Sequence, residues 1–373
     1  MKNGFDIHQL PEMLDIDHDY FRNAKVRQVR FWRKDKLDFP LIVLPGALTA
    51  AQENIPSSNY DAFFADKELM LCSEVRSACA CANARSDAVP SIRANLGTGI
   101  LLSCLGLQQQ TFPDKMPWLT EHLTKAQIAR LTPDDIQIQG DFARGLEMMR
   151  FFQEIMGDTV AVYLMDTQGP FDLAHLLLGD ELFMQLYDDP PFVHHLLNLC
   201  VELSVRTTRW MKAVINEPDN SLHHSNGIYS EDFGIRICED TSALVGTEHI
   251  EEFVIPYSRK LARTFGAAWV HYCGRNDNLT QAVLAVDEFK ALNFGHIPGH
   301  VYDHDFFRTM EFFRQAGKIN YNWWPLLPGE TYVDYLKRLH SFAKEGVLLP
   351  VANVCTTNEF DSNEAILQFW KGL

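Results

Sequence analysis

The sequence lacks a long apolar run. No stretch of its 373 residues approaches the roughly 20 uncharged apolar residues that a membrane-spanning helix needs. The first 20 residues are acidic and interrupted by Pro11, so they lack the basic start and apolar core of a signal peptide. We therefore expect a soluble cytoplasmic protein with no membrane partner.

Positive charge is also scarce, and the cysteines show no disulfide pattern. A formal net charge of −16 argues against nucleic acid or an anionic membrane surface as the main partner. The eight cysteines lack the spacing of a small disulfide-bonded domain, so most are expected to be reduced core residues, with one or two metal ligands among them. They are Cys72, Cys79, Cys81, Cys104, Cys200, Cys238, Cys273 and Cys355.

The chain does have apolar segments of strand length that alternate with helical patterns. The strand candidates are residues 41–44, 91–96, 158–165, 234–238, 268–274, 290–294, 318–322 and 347–354. Helical patterns cover about 60–86, 141–156, 173–186, 191–215 and 248–265, while 216–232 is predicted as a polar loop. Alternation of this kind predicts a parallel sheet, and eight strands favour closure into an α/β fold of the (β/α)8 TIM barrel type.

Two parts of the chain fall outside this alternation. Residues 1–38 are predicted to form an N-terminal helical arm, and residues 39–373 the barrel. In the arm, apolar residues recur at helical spacing: Phe21, Val26, Val29 and Trp32. Around residues 105–140 we expect a helical or loop excursion, because three prolines interrupt it.

Reactive side chains follow successive predicted strands. Because the active site of such a barrel lies at the carboxyl ends of its strands, we expect these side chains to converge. They are Asp166 and Gln168 after the third strand, Glu239 and Asp240 after the fourth, His271 and Cys273 on the fifth, Asn293 and His296 at the sixth, Trp323 after the seventh and Cys355 after the eighth.

Three of these side chains predict a zinc site. His271 and Cys273 are two residues apart in a strand, so both point to the same side, and imidazole and thiol are both zinc ligands. With Cys355 they make a three-ligand set that leaves the fourth position for water or substrate, as in catalytic sites. Zinc would hold a substrate thiol as thiolate near neutral pH. Glu239 either occupies the open position or is a simple acid at the start of a helical turn.

Several segments from about residue 150 onward resemble the uroporphyrinogen decarboxylase superfamily, especially its corrinoid-dependent methyltransferase branch. Residues 168–174 are similar to the family's Gly-Pro-aromatic-Thr-Leu segment, with Asp172 in place of threonine. Residues 186–190 resemble the helix-breaking element that follows it. Glu239-Asp240 with residues 252–256 resembles the strand-end acid and a downstream Glu-Phe-x-x-Pro helix. His271-Tyr-Cys-Gly with the distant Cys355 is similar to the methyltransferases' His-x-Cys…Cys zinc set.

The resemblance implies a (β/α)8 barrel with zinc at His271, Cys273 and Cys355. It also implies methyl transfer between a corrinoid, the methyl-cobalamin of a carrier protein, and a small thiol or another small acceptor or donor. Catalytic roles are predicted for Glu239 and Asp240. The residues predicted to bind substrate are Asp166, Gln168, Asn293, His296 and Trp323.

Other functions stay open at this stage. A decarboxylase acting on a tetrapyrrole needs several arginines at the barrel mouth, and only Arg93, Arg236 and Arg275 are near it. A zinc-dependent hydrolase or a non-catalytic binding protein could use the same barrel. The histidine pairs 194–195 and 223–224 have no partner at fixed spacing, so we expect them in loops or at the surface.

Overall fold

The computed structural model describes residues 5–295, 304–356 and 358–373, and for Asn226 the backbone alone. Helices and strands alternate along most of this chain. Its α-helices are α1 (Leu10–Leu14), α2 (His18–Trp32), α3 (Tyr60–Ala65), α4 (Lys67–Asn83), α5 (Lys125–Ile128), α6 (Gly140–Met156), α7 (Pro170–Leu178), α8 (Glu181–Asp188), α9 (Pro190–Ile215), α10 (Thr247–His249), α11 (Ile255–Thr264), α12 (Asp277–Leu284), α13 (Phe306–Ala316), α14 (Tyr332–Lys344) and α15 (Asn363–Gly372).

Within the described ranges the strands form four sheets, of which the largest is parallel. They are β1 (Ser91–Arg93), β2 (Gln109–Gln110), β3 (Trp118–Leu119), β4 (Ala161–Tyr163), β5 (Leu222–His224), β6 (Ile228–Ser230), β7 (Ile235–Cys238), β8 (Ala268–Cys273), β9 (Phe289–Gly295), β10 (Ile319–Trp323) and β11 (Leu348–Val351). The five-stranded sheet has the order β11-β10-β9-β8-β7, with every pair parallel. β1 pairs with β4 in a second parallel sheet, and β2–β3 and β5–β6 are antiparallel pairs.

The predicted mixed α/β architecture with a parallel sheet is confirmed. Every predicted strand from the second to the eighth overlaps an observed one, whereas residues 41–44 contribute only a bridge between Val43 and Val351. That bridge is parallel, with the Val43 N–H donating to the Pro350 carbonyl at 2.9 Å and the Ala352 N–H to the Val43 carbonyl at 2.8 Å. The first segment therefore continues the five-stranded sheet beyond β11.

Helices α11 to α14 pack against the five-stranded sheet, and most residues of its strands are buried. Strand β8 has its first three residues and Tyr272 fully buried. The longest helix, α9, begins at paired prolines after the capping residue Asp189 and ends at Asn216, whose φ of 53° is left-handed. Among the helices of the described ranges, none combines the length and apolarity required to cross a bilayer.

Residues 216–232 are not the polar loop that the sequence predicts. They contain the β5–β6 hairpin, in which His224 is buried between the rings of Tyr163 and Trp269. The hairpin is buried because helix α2 packs on β6, an interaction between segments about 200 residues apart in the chain. The predicted excursion at 105–140 contains the β2–β3 pair, α5 and a short 3-10 turn.

Gln28 joins the N-terminal helix α2 to this hairpin. Its side chain is fully buried, and its Nε2 donates to the carbonyl oxygens of Asp87 at 2.7 Å and Gly227 at 2.6 Å. Its Oε1 accepts from the Tyr229 N–H at 2.8 Å. One amide therefore satisfies three backbone groups from two distant segments.

Replacing Gln28 with methionine tests this anchoring. Gln28→Met keeps the volume but removes the hydrogen bonds to the Asp87 carbonyl and the Tyr229 N–H, whereas the Gly227 carbonyl keeps the Val89 N–H at 2.9 Å. We therefore expect the free energy of unfolding to fall by about 2–5 kcal/mol. Val26→Ala on the same helix is the control, because Val26 is 53% exposed. The free energy of unfolding of this variant is expected to stay within about 0.5 kcal/mol of the wild-type value. Urea denaturation of the three proteins measures both values, and equal stabilities for Gln28→Met and wild type would contradict the anchoring role.

Candidate metal centre

The pairing of β7 with β8 brings four metal-ligating side chains together. Cys238 lies opposite His271 in the ladder. Asp240 follows Cys238 by two residues, and Cys273 follows His271 by two residues. Because side chains alternate along a strand, Cys238, His271 and Cys273 point to one face of the sheet. Asp240 lies just after the end of β7, and its carboxylate reaches the same place, where it contacts the Cys273 N–H. Arg236 and Trp269, two residues earlier, form the preceding pair on that face, with the guanidinium carbon 5.9 Å from the ring centre. We call Cys238, Asp240, His271 and Cys273 the ligand square.

Three of the four side chains in the ligand square are close enough to one another for a shared ion. The His271 Nε2 lies 3.5 Å from the Cys273 Sγ and 3.8 Å from Asp240 Oδ1. Ligand atoms of Cys238, Asp240 and His271 all lie within 4.8 Å of one another, and no other such group of three occurs in the described ranges. Cys273 is not in this group; its Sγ is close to His271 Nε2. The Cys273 N–H donates to Asp240 Oδ1 at 2.6 Å, which holds that carboxylate against β8.

The donor set and its spacing fit zinc. Sulfur, imidazole nitrogen and carboxylate oxygen are its usual ligands, with bonds of about 2.3 Å to sulfur and about 2.0 Å to nitrogen. At a tetrahedral angle those bonds place sulfur and nitrogen about 3.6 Å apart, close to the observed 3.5 Å between Cys273 and His271. Gly295 leaves the room for this pair, since a Cβ there would lie 2.2 Å from the Cys273 Sγ and 3.0 Å from the His271 ring.

Burial favours the neutral forms of His271, Cys273 and Cys238 when no ion is bound. Burial, assisted by the charge of Arg236, lowers the pKa of His271 to about 4. Burial and then Asp240 raise the pKa of the Cys273 thiol to about 12, and burial raises the pKa of Cys238 well above its usual value. A metal cation offsets this desolvation, because it favours the thiolate directly.

Glu239, predicted to be catalytic, faces helix α7 in this structure. Its Oε2 accepts from the Asp172 N–H at 3.2 Å, and its Oε1 accepts from the Ser258 hydroxyl at 2.5 Å. Gly169, at the start of α7, permits this approach, because a Cβ there would lie 2.2 Å from the Glu239 carboxyl. The predicted catalytic role of Glu239 stays a prediction.

Asp172 makes the reciprocal contact. Its two carboxyl oxygens accept from the Asp240 N–H at 3.0 Å and the Thr241 N–H at 2.7 Å, so it caps the turn that follows β7. Each of the two buried acids thus caps the element that carries the other. Burial, followed by the charge of Asp240, raises the pKa of Asp172 to about 7.

Asp166 lies beside the ligand square in contact with two partly buried arginines, and Gln168 contacts Asp166. The carboxylate of Asp166 is 3.3 Å from an Arg93 guanidinium nitrogen and 3.4 Å from one of Arg236. Gln168 Nε2 donates to Asp166 Oδ1 at 3.4 Å. Arg93 also lines a cavity of about 490 Å³ whose polar wall includes Glu74, Asn95, Tyr163 and Ser225. Arg93, Asp166 and Arg236 therefore connect the cavity to the ligand square.

The remaining predicted site residues have different outcomes. Asn293 lies opposite His271 in the β8–β9 pair, and its Oδ1 contacts His271 Nδ1. Trp323 ends β10, is 40% exposed, and contacts the Asn353 side chain through its indole nitrogen. Cys355 follows β11 at the carboxyl end of the same sheet and is partly buried, but it is outside the group of mutually close ligand atoms. His296 lies outside the described residues.

From the sequence alone, Cys238 is expected to be a reduced core residue at the end of a strand. The available signal was register: the predicted strands 234–238 and 268–274 are consecutive and parallel, so a cysteine that ends one can lie opposite a histidine on the next. The structure pairs them. Arg93 and Arg236 were considered only for a tetrapyrrole, but both bind the predicted substrate residue Asp166.

The raised pKa of Asp172 predicts a pH-dependent stability. Its pKa is about 7 in the fold and about 3.9 in an unfolded chain. The stabilisation that Asp172 gives the folded state is therefore complete below about pH 4 and is lost as the pH rises through 7. Asp172→Asn does not ionise. The stability advantage of wild type over the variant is therefore expected to shrink by at least about 1 kcal/mol between pH 5 and 8.

Urea denaturation at several pH values measures this difference. Asp114→Asn is the matched control, because Asp114 is an exposed aspartate remote from the buried acids. A constant or growing advantage of wild type over Asp172→Asn as pH rises would contradict the shifted pKa.

Comparisons with known proteins identify no family for this chain. Protein-family models give no match to it. The curated proteins give no match either. The proposal below therefore depends on the ligand square and on the resemblance of the quoted segments.

Proposed function

We propose that this chain is a zinc-dependent methyltransferase of the uroporphyrinogen decarboxylase superfamily, in its corrinoid-dependent branch. It would move a methyl group between a corrinoid carried by a partner protein and a small thiol or another small acceptor or donor. The observation that carries the proposal is the ligand square, which collects two thiols, an imidazole and a carboxylate at the carboxyl ends of two parallel strands.

We further propose that the parallel segments close into a (β/α)8 barrel. The Val43 bridge extends the five-stranded sheet at the β11 edge. At the β7 edge, the Thr167 hydroxyl and the Gly169 N–H, which follow β4, donate to the carbonyls of Arg236 and Cys238, each at 2.7 Å. These contacts support closure on both sides. In a barrel the ligand square would lie at the mouth, where active sites of this fold are found.

Within the ligand square, we assign His271, Cys273 and Cys238 as protein ligands and Asp240 as the exchangeable one. The Asp240 side chain is 44% exposed, whereas that of His271 is 12% exposed, so an incoming thiol reaches Asp240 first. Cys355, the third ligand implied by the resemblance, competes with Cys238 for its place. Zinc bound there would hold a thiol sulfur as thiolate near neutral pH.

The chain's own residues then bind and orient the substrate. Asp166, fixed between Arg93 and Arg236, and Gln168 present polar groups beside the ligand square. The exposed ring of Trp323, at the carboxyl end of β10, offers an apolar surface for a flat corrin. Two sulfur ligands reduce the Lewis acidity of a zinc ion, which favours thiolate chemistry over the water activation that a hydrolase needs.

Metal content tests the ligand assignment. We expect about one zinc per chain in the wild type and a several-fold lower content in Cys273→Ser, because a closely spaced sulfur ligand is lost. Cys238→Ser should lose metal comparably, and Cys355→Ser should retain it. Elemental analysis of the purified proteins measures this.

Cys79→Ala is the control for a buried cysteine remote from the site, since Cys79 lies in α4. If Cys238→Ser retains zinc and Cys355→Ser loses it, the third protein ligand is Cys355 and not Cys238. Equal zinc in wild type and Cys273→Ser would remove the assignment altogether.

Demethylation of methylcobalamin by a panel of small thiols tests the reaction. We expect a thiol-dependent rate that falls at least about tenfold in Cys273→Ser and after chelation of zinc, while Cys79→Ala keeps the wild-type rate. Absorbance of the corrin follows the loss of the methyl group. Ester or amide hydrolysis without thiol would indicate the hydrolase instead, and decarboxylation of a uroporphyrinogen would indicate the decarboxylase.

A further inference from the structure

The imidazole of His271 can bind a metal through Nε2 only if its proton is on Nδ1. Which nitrogen carries the proton is decided by the hydrogen bond that the other nitrogen makes. In this structure the partner of Nδ1 is the Asn293 side chain, and Nε2 faces Cys273 and Asp240. An asparagine side chain presents either an oxygen that accepts or a nitrogen that donates, so its orientation selects the tautomer.

The orientation of Asn293 follows from Asn322, on strand β10. The backbone N–H of Phe294 can only donate, and it lies 2.8 Å from one side-chain atom of Asn322, which must therefore be Oδ1. On the other side, Asn322 Nδ2 lies 2.7 Å from the Trp323 carbonyl, which can only accept. Two backbone groups of opposite character thus fix the amide of Asn322, which is 2% exposed.

Asn322 then acts on Asn293. Its fixed Oδ1 lies 3.4 Å from Asn293 Nδ2, so the nitrogen of Asn293 points to Asn322 and the oxygen to His271. That oxygen accepts a hydrogen bond from the Nδ1–H group of His271. The lone pair of Nε2 is consequently left toward Cys273 and Asp240.

We propose that Asn322 is a positioning residue that, through Asn293, holds His271 in the Nδ1–H tautomer required for metal binding at Nε2. The proposal rests on the proposed function only in treating His271 as a metal ligand. Without Asn322, the Asn293 amide is free to rotate by half a turn and present its nitrogen to Nδ1. The proton would then move to Nε2, where it blocks the ligand position.

Asn320 provides a matched control two residues earlier on the same strand. It is also fully buried, its Nδ2 donates to the Leu292 carbonyl at 3.1 Å, and its Oδ1 accepts from the Trp324 indole at 2.9 Å. Asn320→Leu therefore removes a buried asparagine bonded to the same neighbouring strand, but leaves the contacts of Asn293 intact. Asn322→Leu removes them.

The tautomer is measured by NMR of metal-free protein with ¹⁵N-labelled histidine, in which protonated and unprotonated ring nitrogens have distinct shifts. The His271 signal is assigned by its absence in His271→Gln. We expect the Nδ1–H form in wild type and in Asn320→Leu, and a mixture or the Nε2–H form in Asn322→Leu. An Nε2–H wild type, or an unchanged tautomer in a folded Asn322→Leu, would overturn the proposal.

A double variant separates positioning from structural support. The aspartate in Asn293→Asp/Asn322→Leu can only accept from Nδ1, so it should restore the Nδ1–H form without Asn322. Failure of the double variant to restore it, when folded, would mean that Asn322 acts on His271 by another route. If the variants do not fold, the wild-type spectrum alone still decides which tautomer is present.

Zinc affinity, measured by competition with a chromogenic chelator, gives the second arm. We expect Asn322→Leu to bind about 10–100-fold more weakly than wild type, and Asn320→Leu to remain within about threefold. A wild type that shows the Nδ1–H form but binds no zinc would refute the proposed function and leave the tautomer assignment intact. Equal affinities in Asn322→Leu and Asn320→Leu would refute the role of Asn322 in metal binding.

Discussion

The parallel pairing of β7 with β8 is the constraint on which the candidate site depends. It places Cys238 opposite His271, and Asp240 beside Cys273, although about 30 residues separate the two strands. A shift of one residue in either strand would turn its ligands to the other face of the sheet. The packing of both strands opposes such a shift, because it would move core residues such as Val270 to the face that carries the ligands.

Buried polar contacts hold the loops that follow these strands. Glu239 caps α7 and Asp172 caps the turn after β7, so neither loop can move without leaving a buried backbone N–H unpaired. The cost is two carboxyl groups in a low-dielectric environment, which is why burial raises the pKa of both. Asp240 is thereby placed at the ligand square by its own backbone contact with Asp172.

The proposed metal chemistry needs a particular state of each ligand as well as its position. The sulfur and nitrogen of Cys273 and His271 have the separation of a zinc-bound pair, and Gly295 leaves space for them. In the proposed arrangement, the backbone N–H of Phe294 orients the amide of Asn322 on β10, and Asn322 orients the amide of Asn293 on β9. Asn293 in turn determines which ring nitrogen of His271 carries the proton. The polar organisation of the site therefore spans four adjacent strands.

The sequence by itself determined the alternation of strands and helices, the parallel sheet and the pair formed by His271 and Cys273, because these depend on side-chain periodicity along single segments. It did not determine the burial of His224, the capping role of Glu239 or the membership of Cys238 in the ligand square. Those features depend on which strand lies beside which, and on the helix α2 that covers the β5–β6 hairpin. Contacts between segments remote in the chain decide them, and the periodicity of a single segment does not show such contacts.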